Sequence, residues 1–127
     1  MNCKISYTPI FERSLKRLAK HYKSIKSDFK DFLCSLHEYP FQGADLGGGL
    51  RKVRMPIASK SKGKSGGARV ITFEILRTDD EVEIRLVDIY DKSECETLTD
   101  KEIRQRLKQS GTHQAFHAQD DSFLQCS

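Results

Sequence analysis

The sequence predicts an α+β domain with helices packed on one face of a largely antiparallel sheet. Three observations point there. Apolar residues alternate with polar ones at the N-terminus, two consecutive stretches carry helical apolar spacing, and three strand-like segments follow them. A capped segment closes the pattern. The expected order is an N-terminal strand, a helical hairpin, a three-stranded antiparallel sheet and a C-terminal helix.

Residues 2–8, NCKISYT, alternate Cys3, Ile5 and Tyr7 with polar partners, which is strand patterning. Pro9 then suits the first turn of a helix. In IFERSLKRLAKHYK, Phe11, Leu15, Leu18 and Tyr22 recur on one helical face, with Arg13, Lys16, Arg17, Lys20 and Lys23 over the remainder. A second helix begins after Ser24 with Ile25, Phe29, Phe32, Leu33 and Leu36, and ends before Pro40. PFQGADLGGG reads as a glycine-rich connection without periodicity.

Strands are then expected at Leu50–Met55, Ala68–Leu76 and Val82–Tyr90, the last two joined by Thr78-Asp79-Asp80 as a hairpin. Ile71, Phe73 and Ile75 share a face of the middle strand. The last strand is apolar on both faces from Leu86 to Ile89, which marks it as central. Thr99 and Glu102 form a capping box for a final helix, with Leu98 and Ile103 placed as its staple and Gly111 as its stop.

The chain has 127 residues, with 31% charged and 37% apolar, and divides into a folded domain over residues 1–110 and a polar tail over 111–127. No apolar run reaches membrane-spanning length and no leader is visible, so a cytoplasmic setting is expected. Cys3, Cys34, Cys95 and Cys126 form no CxxC pair and read as reduced structural thiols. His113, His117 and Cys126 belong to the aperiodic tail, so no metal site and no cofactor are expected.

Gly63-Lys64-Ser65 resembles the end of a phosphate-binding P-loop, but the earlier glycine is replaced by Ala58 and the segment runs into a strand, which excludes that motif. The charge there has another use. From Arg51 to Arg69 lie Arg51, Lys52, Arg54, Lys60, Lys62, Lys64 and Arg69, with no Asp or Glu. Strand alternation sends Lys52 and Arg54 to one face and Val53 and Met55 to the other. A hairpin bringing Arg69 beside them makes a cationic hollow suited to a phosphodiester backbone.

Such a hollow has the parts for RNA cleavage. Arginine forks suit a transition state of increased negative charge, and a lysine can serve as base or electrostatic stabiliser. Tyr90 and Lys92 leave the last strand nearby, and Tyr90 is a stacking ring, a proton donor or a core edge. The four histidines lie elsewhere, against a histidine-based ribonuclease.

FERSLKRLAKHYKSIKSDFKDFL, GGGLRKVRM, KGKSGGARVITFEI and LVDIYDKSE together resemble the RelE/ParE superfamily of toxins from type II toxin–antitoxin systems, closest to the HigB/RelE-type branch. The resemblance spans roughly Lys4 to Leu107. It implies a metal-independent endoribonuclease that cuts messenger RNA on the ribosome, and an antitoxin partner of helix-turn-helix type. On this sequence the family's basic residues fall on Lys52, Arg54 and Arg69, and less directly on Lys92. Arg51, Lys60, Lys62 and Lys64 are the further RNA-binding residues expected. Some members carry a catalytic tyrosine near the C-terminus, whereas this chain has no tyrosine after Tyr90. The alternatives are a gyrase-directed toxin of the ParE type and a non-catalytic RNA-binding module.

Overall fold

The computed structural model describes residues 2–59 and 67–92, together with Gln105 and the pair Phe116–His117. Its elements are β1 (Asn2–Tyr7), α1 (Pro9–His21), α2 (Ile25–Glu38), β2 (Ala44–Gly47), β3 (Leu50–Met55), β4 (Ala68–Arg77), β5 (Glu81–Asp91) and β6 (Phe116–His117). The sheet order is β2-β3-β4-β5-β1, with the two-residue β6 on the far side of β1. The fold is α+β, as the sequence predicts.

Two features depart from the expected sheet. β1 joins it in parallel beside β5, from Asn2↔Glu81 to Tyr7↔Leu86, so the sheet is mixed rather than three-stranded and antiparallel. β2 is a strand where the glycine-rich stretch reads as a connection. Asp45 pairs with Arg51, the Asp45 side chain accepts from the Gly47 N–H at 2.8 Å, and Gly47, Gly48 and Gly49 turn the chain with φ of 88°, 63° and 88°. Those glycines close a tight hairpin. β5 is central, between β4 and β1, as its doubly apolar face requires. The expected C-terminal helix near residues 99–111 lies outside the described residues.

Helix α1 starts where Thr8 caps it. The Thr8 hydroxyl accepts from the Phe11 N–H at 3.0 Å and donates to the Val87 carbonyl at 2.8 Å, so one buried side chain both caps the helix and ties it to β5. Pro9 occupies the first turn, where its missing N–H costs nothing. Phe11, Leu15 and Leu18 are buried along one stripe, and Phe11 meets Phe29 of α2 with ring centroids 5.5 Å apart. Ile25, Phe29, Phe32, Leu33 and Leu36 complete the helical layer against Ile5, Val53, Met55, Val70, Ile84, Leu86 and Ile89 of the sheet. Emptying one such site by Phe→Ala costs about 3–5 kcal/mol.

Two more polar ties fix α1 along β5. The Ser14 hydroxyl donates to Asp88 Oδ1 at 2.7 Å, and the Tyr22 hydroxyl donates to Asp91 Oδ2. Together with Thr8 and Val87 they hold the C-terminal half of β5 from the helix side. That half carries a register shift, with Ile71 opposite Asp88 but Thr72 opposite Leu86, leaving Val87 as the extra residue. A second shift between Glu74 and Leu76 ends the regular alternation of β4, so Ile75 does not continue the Ile71–Phe73 face and is 37% exposed.

Cys3 is a free thiol, half-buried, and burial pushes its pKa above the ordinary value. Cys34 is disulfide-bonded, which corrects the expectation of reduced thiols at that position. Among the described residues, no helix is long and apolar enough to cross a membrane.

Candidate functional site

The sheet face turned away from the helices carries the expected cations. In β3, Val53 and Met55 enter the helix-side core, so Lys52 and Arg54 project to the opposite face. The β3–β4 register sets Arg54 opposite Arg69 and Lys52 opposite Ile71. The β4–β5 register then sets Arg69 opposite Tyr90. Arg54, Arg69 and Tyr90 therefore form one row across three neighbouring strands, with Lys52 diagonal to Arg69. Directly opposed residues bring their Cβ atoms within roughly 4.5–5.5 Å, and diagonal ones within about 7–8 Å.

An apolar floor supports this row. Leu50, Ile71, Val87 and Tyr90 form a second buried cluster on this face, with Leu46 and Phe73 packed against it. Tyr90 is only 5% exposed, so its ring is part of the floor and is not open as a stacking platform. Its hydroxyl is buried, with no hydrogen-bond partner among the described residues. Arg54 is exposed, while Lys52 and Arg69 are partly buried. The Arg69 guanidinium donates to the Ala68 carbonyl at 3.2 Å. Among the described residues, neither Lys52 nor Arg69 has a carboxylate partner.

Gly67 shapes the entrance to β4. Its φ is +99°, a Cβ there would lie 2.8 Å from the Met55 carbonyl oxygen, and its own carbonyl accepts from the Lys92 N–H at 3.3 Å. Glycine thus lets β3 and β4 close up beside Arg54 and Arg69, and the same contact brings the exposed Lys92 to the rim of the row.

The structure brings together Lys52, Arg54, Arg69 and Tyr90, with Lys92 adjacent. It separates Arg51, which follows the alternation to the other face. There Arg51 lies 3.9 Å from Asp45 and over the Phe41 ring at 5.9 Å. Lys60, Lys62 and Lys64 lie outside the described residues. Arg85 is a cation on the same outer face that the sequence reading does not single out. It stands opposite Phe73 and beside Ser6 of β1, and both its Nε and the Ser6 hydroxyl are buried without partners among the described residues. Its alternation with Ile84 and Leu86 is the signal that identifies its face. Among the described residues, no group of His, Cys, Asp or Glu is placed to hold a metal ion.

A family model described as the RelE toxin of the RelE/RelB toxin–antitoxin system matches residues 10–124. The chain belongs to the RelE toxin family. It is a toxin of a toxin–antitoxin system, and an antitoxin is its partner by that membership. The match begins at the second residue of α1 and runs past β6, and so includes the whole cationic row.

Proposed function

We propose that this RelE-type toxin is a metal-independent endoribonuclease that cuts messenger RNA on the ribosome. The observation that carries the reading is the Arg54–Arg69–Tyr90 row with Lys52 diagonal to it. Like charges set directly opposite each other in a sheet repel, and a phosphodiester bound between them would offset that repulsion. Membership of the family supports the same reaction class.

In this scheme the 2′-oxygen attacks phosphorus, its proton departs, the bond to the 5′-oxygen breaks and that oxygen takes up a proton. Arg54 and Arg69 hold the phosphoryl oxygens as their charge grows, where a preorganised fork acts more strongly than in water. Lys52 lies at the 2′-oxygen as base or electrostatic stabiliser. The Tyr90 hydroxyl, buried in the floor beside Arg69, is the donor to the leaving oxygen once the bound substrate displaces the side chains that cover it. Lys92 adds charge at the rim, and Lys60, Lys62 and Lys64 anchor ribosomal RNA. The partner is a helix-turn-helix antitoxin, the setting is the cytoplasm and the branch is the HigB-like one.

The test is induced expression followed by mapping of mRNA 5′ ends. New ends inside translated reading frames are expected. Intact messages, together with loss of DNA supercoiling by gyrase, would replace this reading with the gyrase-directed one.

A further inference from the structure

We propose that the outward side of α1 is a second nucleic-acid surface, which grips the phosphate backbone of double-helical RNA. Phe11, Leu15 and Leu18 face the core. At 3.6 residues per turn, Arg13, Lys16, Arg17 and Lys20 fall within an arc of about 100° on the opposite side. All four are exposed, and so is Lys23 in the turn that follows. The only carboxylate on α1 is Glu12, which is half-buried, approaches Lys16 at 4.0 Å and accepts from the Tyr7 hydroxyl at 3.5 Å.

The composition of this face selects its occupant. The exposed large apolar residues among those described are Tyr39, Ile75 and Leu76, and none lies on α1. A protein partner needs buried apolar or aromatic anchors at the centre of its interface, and a single strand needs rings on which its bases stack. The stripe has no large apolar anchor and its one exposed ring is His21 at the C-terminal end, so it reads chiefly backbone charge and spacing. From Arg13 to Lys20 the helix rises about 10 Å, the length of about three phosphates on one strand of a duplex.

Position supports a separate contact. Helix α1 covers the face of β5 opposite the one that displays Arg69 and Tyr90, so the two cationic surfaces point away from each other. A duplex on α1 leaves the sheet face open for its own substrate, and the toxin then bridges two RNA segments. The proposal rests on the ribonuclease reading only for the choice of RNA over DNA.

The experiment compares a short blunt RNA duplex, the DNA duplex of the same sequence and an unstructured RNA strand, each titrated with purified protein over a range of salt. The variant combines Arg13→Gln, Lys16→Gln, Lys20→Gln and Lys23→Gln, since glutamine keeps helix propensity. It is expected to lose at least about tenfold in affinity for the RNA duplex, with a salt slope shallower by about three. Lys16→Arg with Lys20→Arg and Lys23→Arg should bind like wild type. Unchanged duplex binding by the glutamine variant overturns the proposal, as does tighter retention of DNA. An antitoxin that releases the glutamine variant while the RNA duplex stays bound overturns it too, by making α1 a protein surface. Messenger RNA cleavage is a separate readout, so the ribonuclease reading fails or stands independently.

Discussion

Arg54 and Arg69 stand directly opposite each other across the β3–β4 ladder, on the face away from the helices. Two guanidinium groups so placed repel, which by itself weakens the sheet. Arg69→Gln should therefore raise the urea midpoint by the equivalent of about 0.2–1 kcal/mol. The same variant should cut ribosome-bound mRNA at least about 100-fold more slowly. Paired denaturation and cleavage assays check both arms, and a loss of stability would remove the argument that the pair is held for function.

Tyr90 gives a second separation of stability from activity. Its hydroxyl is buried without a partner among the described residues, so it carries a desolvation cost of about 1–3 kcal/mol that no hydrogen bond to them offsets. Tyr90→Phe should melt at the same temperature as wild type or higher, because the ring still fills the outer cluster with Leu50, Ile71 and Val87. Cleavage should fall at least about 100-fold if the hydroxyl donates to the leaving oxygen. Full activity in Tyr90→Phe would reduce Tyr90 to a piece of the floor.

Thr8 links the helical layer to the strand behind the site. Thr8→Val keeps the shape of the side chain but removes the cap on Phe11 N–H and the donor to the Val87 carbonyl. A loss of about 1–2 kcal/mol is expected in thermal or chemical denaturation. Cleavage per folded molecule should be unchanged, since Thr8 touches no residue of the cationic row.

Gly67 is a backbone requirement beside the site. A Cβ there would press on the Met55 carbonyl oxygen at 2.8 Å, in a conformation with φ of +99°. Gly67→Ala should cost more than about 1 kcal/mol of stability. It should also slow cleavage, because the strain falls between β3 and β4 next to Arg54 and Arg69. A stable and fully active Gly67→Ala protein would show that this junction tolerates rearrangement.

Much of this arrangement is legible in the sequence, for stated physical reasons. Lys52 and Arg54 share a face because strand alternation has a period of two, and the apolar Val53 and Met55 leave no choice about which face is buried. The central place of β5 follows from apolar residues on both its sides. By contrast, alternation speaks of faces and is silent about neighbours, so the parallel partnership of β1 with β5 has no local signature. β2 is hidden because it is four residues long, largely exposed and bordered by glycines, which carry no side-chain pattern. Arg51 belongs to the acid-free run by composition, yet the same alternation that groups Lys52 with Arg54 turns it towards Asp45. Charge counting alone puts it in the site, and geometry takes it out.

The most direct measurement is single-turnover cleavage of mRNA on programmed ribosomes by purified Lys52→Ala and Arg69→Ala proteins, each first shown to be folded. Rates at least about 100-fold below wild type are expected for both, since in the proposed scheme each removes a preorganised charge facing the scissile phosphate. Rates within a small factor of wild type in either protein would mean that the cations on the outer sheet face do not carry the chemistry.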